Sequence, residues 1–247
     1  LNKELYNRFS NKKGQIAILI DPDKFDFSKK EDFVKRINVA NVDYLFVGGS
    51  TVEQKDLRRV IRFLKDNSTL PIVLFPGDVY QYDENADAIL YLSLLSGRNP
   101  DYLIGQHVRT AKNIAESGLE IIPTAYLLID GGNHSAVAYV SQTSPIPQNQ
   151  VNLIENTAIA GILQGKSTIY LDAGSGAEQV ISAEIIERCS KLEVPLIVGG
   201  GIRSIDQIKT TKAAGANVIV IGNHIEENVD FLLDIANYRV QKPEPRS

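Results

Sequence analysis

The chain has 247 residues, of which 43% are apolar and 23% charged, with 26 basic against 30 acidic side chains. This composition suits one large globular domain with a sizeable core and excludes disorder, collagen or coiled coil as a description of the whole. The formal charge of −4, with no basic block, argues against counterion-driven binding to nucleic acid, so small-molecule partners are expected.

The opening stretch, Leu1 to Lys13, is polar and lacks the apolar core of an export signal. A first strand is expected over Gln15 to Ile20, closed by Asp21-Pro22-Asp23-Lys24, and Ser28-x-x-Glu31 has the spacing of a capping box for the helix that follows. The second strand, Tyr44 to Val47, runs into Gly48-Gly49-Ser50, and Thr51-x-x-Gln54 again has capping-box spacing. Leu57, Val60, Ile61 and Leu64 then repeat at helical spacing. After the third strand, Ile72 to Phe75, the segment Pro76 to Asp87 carries Pro, Gly and four acidic residues without an apolar stripe, so an irregular segment is expected where the third helix would lie. The fourth strand is read over Ala88 to Leu92. Asn99-Pro100 opens the next helix, whose stripe of Ile104, Val108, Ala111 and Ala115 is expected to face the sheet.

The fifth strand is read over Glu120 to Pro123. The long stretch Thr124 to Gln150 behind it holds Gly131, Gly132, Pro145 and Pro147, and part of it either continues the strand or forms a short extra one through Tyr126 to Ile129. An insertion there is either an active-site lid or a passive surface loop. Three more strands are read over Thr168 to Leu171, Pro195 to Val198 and Val218 to Ile221, with Ser204-x-x-Gln207 as a further capping box and a polar tail from Gln241 to Ser247. Eight strands alternating with helices over residues 1–247 indicate an α/β chain of one domain, a (β/α)8 barrel of the TIM type modified at its third helix. The single Cys189 can form neither an intramolecular disulfide nor a zinc cluster and reads as core filler in a reduced, cytoplasmic setting. No apolar run approaches the ~18 residues of a spanning helix, so stable membrane insertion is not expected.

In such barrels the strand C-termini face the site, and phosphate is commonly held after strands seven and eight. Glycine-rich loops stand at those places: Gly199-Gly200-Gly201-Ile202-Arg203-Ser204 and Gly222-Asn223, with Asp172-Ala173-Gly174-Ser175-Gly176 after strand six. Glycine lets the backbone approach an anion, and helix starts offer free N–H groups. Asp21 closes strand one and Ser50 follows strand two; magnesium needs only one or two carboxylates plus substrate phosphate, so the two are metal candidates, or else a turn initiator and a helix cap. On strand six, alternation puts Tyr170 and Asp172 on one face. Asp172 could accept a proton from a bound hydroxyl or merely take hydrogen bonds from loop amides. His107, His134 and His224 lack ligand spacing, and no nucleophilic triad is readable.

The motifs Ile20-Asp21-Pro22-Asp23-Lys24, Val47-Gly48-Gly49-Ser50, Tyr170-Leu171-Asp172-Ala173-Gly174-Ser175-Gly176-Ala177, Gly199-Gly200-Gly201-Ile202 and Ile221-Gly222-Asn223, in that order, resemble the geranylgeranylglyceryl phosphate synthase family, which includes the heptaprenylglyceryl phosphate synthases. Ser93 to His107 resembles the family's segment after strand four. The resemblance implies a barrel lacking its third helix and a prenyl transfer, in which the 3-hydroxyl of sn-glycerol 1-phosphate attacks C1 of a polyprenyl diphosphate. It implies magnesium (Mg2+) on Asp21 and Ser50, and glycerol phosphate on Tyr170, Leu171, Asp172, Ala173, Gly174, Ser175 and Gly176, on Gly200 and Gly201, and on Gly222 and Asn223. Asp172 then orients or deprotonates the attacking hydroxyl. Leu19 stands where the shorter bacterial branch carries Lys, which implies the longer branch and a geranylgeranyl donor. Tyr91, Leu94 and Tyr102 are candidate linings of the tail channel; Arg98 is a surface arginine or a contact for diphosphate. A homo-oligomer is expected. A phosphosugar isomerase is the alternative, but it needs an acid and a base on strands one and five, where Asp130 is the one partner available for Asp21. A flavin-binding barrel and a catalytically silent phosphate-binding scaffold use the same loops.

Overall fold

The computed structural model describes residues 3–50, 53–78 and 80–240. Eight parallel strands close in sequence order into a barrel: β1 (Gln15–Ile20), β2 (Tyr44–Val47), β3 (Ile72–Leu74), β4 (Ala88–Leu94), β5 (Glu120–Leu128), β6 (Thr168–Asp172), β7 (Leu196–Gly199) and β8 (Val218–Ile221). The helices are α1 (Glu4–Asn11), α2 (Lys30–Ala40), α3 (Gln54–Asn67), α4 (Gln106–Glu116), α5 (Ala136–Ser141), α6 (Val151–Leu163), α7 (Ala183–Cys189), α8 (Ile205–Ala213), α9 (Asn223–Glu227) and α10 (Phe231–Val240). No helix among the described residues joins β3 to β4, as the stripe-free segment Pro76 to Asp87 predicts. Nor is any described helix long and apolar enough to cross a membrane.

Alternation along the strands divides the core in two. Residues such as Ile18, Leu45, Leu127, Leu171 and Ile219 pack outward against the helices, while Ala17, Phe46, Leu90, Tyr126, Tyr170 and Val220 fill the barrel interior. The bottom of the barrel is stoppered by α1. Phe9 is fully buried against Tyr44, ring centroids 4.9 Å apart and nearly perpendicular. The buried Glu120 carboxylate accepts the Leu5 and Tyr6 amides at 2.8 and 2.7 Å, satisfying N–H groups that the first turn of a helix leaves free.

The strand expectations hold with shifted ends. β5 runs past Pro123 because that proline faces the β6 side before β6 begins: the β5–β6 register starts at Thr124 opposite Thr168, so no ladder hydrogen bond is lost there. Of the capping boxes, Ser204 accepts the Gln207 amide at 3.2 Å, and Gln207 Oε1 returns to the Arg203 amide at 2.7 Å. Asn99 accepts from the Asp101 amide at 3.1 Å before one π-helical turn, Asp101–Gly105, leads into α4. Ser28 does not cap α2. Its amide and hydroxyl both bond Asp26 Oδ1, and the helix starts behind Lys29. The Thr51 box and the tail from Gln241 lie outside the described residues.

The stripe of α3 is buried as expected, with Leu57, Val60, Ile61 and Leu64 all in the core. The α4 stripe is a correction. Ile104 is 58% and Val108 71% exposed, and Ala111 and Ala115 also face outward, whereas Ile114 is buried and His107 and Thr110 turn inward. The inner face of α4 lines a cavity and does not close a dry core, so polar residues are tolerated there and the apolar spacing no longer marks the inside.

Candidate active site

Two cavities adjoin at the C-terminal mouth of the barrel and share Gly49, Ser50, Phe75 and Val137. The rim cavity gathers Asp21, Ser50, Tyr170, Asp172, Gly174, Ser175, Gly176, Gly200, Gly201, Gly222 and Asn223. Of the sequence candidates, Leu171 and Ala173 do not line it: both pack outward into the core beneath the helices, since alternation puts them on the face opposite Tyr170 and Asp172. Backbone conformation explains the glycines. Gly200 has φ +86°, and a Cβ there would lie 2.8 Å from the Ala173 nitrogen and 2.9 Å from that of Gly174, so the loops after β6 and β7 interlock only without a side chain. Ser175 Oγ donates to Asn223 Oδ1 at 2.9 Å and ties the loop after β6 to the one after β8.

Asp172 sits at the upper end of β6, 7% exposed. Its Oδ2 accepts the Tyr126 hydroxyl at 2.6 Å and its Oδ1 the Gly174 amide at 2.8 Å. Burial holds the carboxyl above the usual carboxylate range, against the lowering pull of those two hydrogen bonds. Burial, and then the neighbouring carboxylate, pushes the phenols of Tyr126 and Tyr170 far up, so both stay protonated and Tyr126 remains a donor. Phe75, Tyr126 and Tyr170 form an aromatic cluster under the site, with centroids 5.2 to 5.9 Å apart.

Asp21 caps a short turn by accepting the Asp23 amide at 3.1 Å, and its Oδ2 lies 3.4 Å from Lys24 Nζ. The same ammonium is 3.3 Å from Glu226 Oε2 on α9. Two carboxylates therefore already share one cationic group at the rim. Lys24, Arg203, His224 and Glu226 line this cavity too: Lys24 and Arg203 stand within the sequence motifs without a role of their own, His224 is set aside there for lack of ligand spacing, and Glu226 is not singled out by sequence. Glu226 stands three residues after Asn223, on the same helical face, which was the available signal.

The second cavity is mostly apolar and runs between β4, α4 and the segment in place of the third helix. Tyr91, Leu94 and Tyr102, the sequence candidates, all line it. So does His107, edge-on to Tyr91 at 4.6 Å and 3.3 Å from Ser93 Oγ; burial pushes its imidazole down, keeping it neutral. Tyr126 belongs to this cavity as well, and its hydroxyl reaches Asp172 in the other. The insertion behind β5 contributes α5, capped by Ser135 and pressed on the loop after β6: a Cβ on Gly174 would meet Ser135 Cβ at 2.7 Å. Val137 of α5 borders both cavities, so this stretch is a wall of the site. Arg98 is exposed and spends its guanidinium on the Leu95 and Gly97 carbonyls; Asp130 is exposed and lines neither cavity. An isomerase reading thereby loses its acid–base pair. Among the described residues no three His, Cys, Asp or Glu side chains converge as a metal cluster.

A model of the PcrB family matches residues 8–238 of the chain. A geranylgeranylglyceryl phosphate synthase of Zunongwangia profunda is 50% identical over 215 residues, covering 87% of this chain and 92% of that one. One of Chitinophaga pinensis is 42% identical over 242 residues, 96% of each. Among solved structures, (S)-3-O-geranylgeranylglyceryl phosphate synthase of Thermoplasma acidophilum, in complex with its substrate sn-glycerol-1-phosphate, superposes with a TM-score of 0.87 at 29% identity, covering 95% of this chain and 94% of that one. The tryptophan synthase α-subunit of Pyrococcus furiosus, at 14% identity and a TM-score of 0.57 over 92% of this chain and 97% of that one, shares the barrel alone.

Proposed function

The chain belongs to the PcrB family, and from that premise we propose that it transfers a polyprenyl group, of geranylgeranyl length, from its diphosphate to the 3-hydroxyl of sn-glycerol 1-phosphate. The hydroxyl oxygen bonds to C1 of the donor, the bond from C1 to the diphosphate oxygen breaks, and the hydroxyl proton passes to Asp172. The observation that carries this reading is the Tyr126–Asp172 hydrogen bond. It joins a buried base in a glycine-lined rim to an apolar cavity fit for a hydrocarbon tail. Transfer from an allylic diphosphate asks the protein to anchor the attacking hydroxyl, to neutralise the departing charge and to keep the channel dry, and calls for no protein nucleophile.

In this reading the phosphate of the acceptor is held by Gly174, Ser175 and Gly176, by Gly200 and Gly201, and by Gly222 and Asn223, with Tyr170 beneath. Magnesium is part of the proposal: Asp21 and Ser50 are hard oxygen donors that line the same rim, and an Asp21 carboxylate that already pairs with the Lys24 ammonium supports a preference for positive charge at this point. When bound, the ion stabilises charge developing on the departing diphosphate. A cytoplasmic setting suits the buried Cys189, whose thiol burial pushes up to about 12, keeping it protonated. The outward apolar stripe of Ile104 and Val108 supports a homo-oligomer; sedimentation of the wild-type chain should give a mass above that of one copy, and a monomer at all concentrations would remove that part.

The transfer is tested by incubating the chain with sn-glycerol 1-phosphate and a mixture of prenyl diphosphates, with and without magnesium, while following diphosphate release and the mass of the ether lipid. Release dependent on both the acceptor and the metal, with the geranylgeranyl ether dominant, is expected. No release in the presence of metal would sink the reading.

A further inference from the structure

Gln81 stands in the segment between β3 and β4, is only 2% exposed, and lines the apolar cavity. Its Oε1 accepts the Gly77 amide at 2.9 Å. Because a backbone N–H can pair only with the oxygen end, the orientation of the side-chain amide is fixed, and the NH2 is the end left over. Nε2 is buried and has no hydrogen-bond partner among the described residues. A buried donor left in that state is disfavoured unless something in the cavity accepts from it. The position of the amide narrows what that is. A Cβ on Gly77 would lie 2.4 Å from the Gly49 carbonyl oxygen and 2.9 Å from Ser50 Cα, so the loop that Gln81 holds presses on the place where the apolar cavity opens into the rim.

We propose that the Gln81 amide donates a hydrogen bond to the diphosphate of the prenyl donor and fixes the depth at which that head group sits. The inference rests on the transfer reading and deepens it. A hydrocarbon tail offers no acceptor, and the diphosphate is the one part of the donor that can satisfy Nε2. At the junction with the rim it also lies next to Gly49 and Ser50, facing the cavity that holds Asp172. A neutral amide suits a leaving group: it positions oxygen before and after the bond breaks without adding a fixed charge that would hold the product.

Gln81→Glu keeps an oxygen for the Gly77 amide but replaces the donor with an acceptor, and Gln81→Met removes the donor in every protonation state. In both variants the KM for the prenyl diphosphate and the inhibition constant of inorganic diphosphate should rise about tenfold or more, while the KM for glycerol phosphate stays within about twofold. Inhibition by the prenyl alcohol of equal length, which has the tail but no diphosphate, should be unchanged. Equal weakening of the alcohol would assign Gln81 to cavity shape alone, and unaltered diphosphate constants would assign Nε2 to a trapped water; either overturns the proposal. Calorimetric binding of inorganic diphosphate with magnesium reads the same contact without turnover. A wild-type chain that releases no diphosphate would thus end the transfer reading, while this binding still decides the role of Gln81.

Discussion

Asp172 holds two donors at once, the Tyr126 hydroxyl on one oxygen and the Gly174 amide on the other, and each oxygen keeps a further lone pair for a substrate hydroxyl. Burial raises its affinity for a proton, which suits a base that must take one from an alcohol and later release it. The acid limb of kcat/KM should therefore lie above the ordinary carboxylate pKa of 3.8, with activity rising as the carboxyl loses its proton. Asp172→Asn should lower kcat by about 10²–10⁴-fold and remove that limb, with little change in glycerol phosphate affinity. Tyr126→Phe removes a hydrogen bond that favours the charged form, so the limb should move to higher pH and activity should recover in alkaline buffer. A pH–rate profile that keeps its shape in both variants would show that this carboxylate is not the proton acceptor.

The loops behind β6, β7 and β8 act together, and their glycines are set by contact between loops as well as by contact with ligand. At Gly200 a β-branched side chain must adopt φ +86° and also displace the Ala173 and Gly174 nitrogens; the left-handed conformation alone costs about 1–2 kcal/mol. Gly200→Val is expected to raise the KM for glycerol phosphate by an order of magnitude or more while the donor KM changes less than about twofold. Steady-state kinetics with each substrate varied in turn checks this, and an unaltered acceptor KM would place the anion elsewhere. These loops were legible in the sequence because a glycine cluster at a strand end states its own backbone requirement. Asp21 and Asp172 were legible because each stands one step past an expected strand, behind Ile18-Leu19-Ile20 and Ile169-Tyr170-Leu171, and Ser50 because it closes the glycine pair that follows Val47. Gln81 was not, because its meaning lies in a bond to Gly77 and an unpaired nitrogen that only the folded cavity reveals. Nor was α4: both of its faces mix apolar with polar residues, and spacing alone cannot say which one meets the barrel.

Over the whole molecule, chemistry and stability occupy opposite ends of the barrel. The mouth concentrates left-handed glycines and buried ionisable groups, the latter a cost that must be offset elsewhere, and the bottom is closed by α1 on a single buried carboxylate. Glu120 is 3% exposed and satisfies two helix-start amides, Leu5 and Tyr6, 115 and 114 residues away in sequence. Contacts of such separation join the first segment of the chain to its middle. Glu120→Gln preserves size and one acceptor oxygen, but it turns an NH2 group toward the other amide, leaving a buried donor without a partner. The expected loss is about 1–3 kcal/mol of unfolding free energy, which for a chain of this size lowers Tm by roughly 2–4 °C per kcal/mol. Because the barrel mouth lies at the far end, kcat and both KM values should stay near wild type at temperatures where the variant is folded. Urea unfolding beside steady-state kinetics separates the two ends: a stability change below about 0.5 kcal/mol would show that α1 is held without help from the Glu120 carboxylate, and a fall in kcat without loss of stability would show that the two ends are coupled.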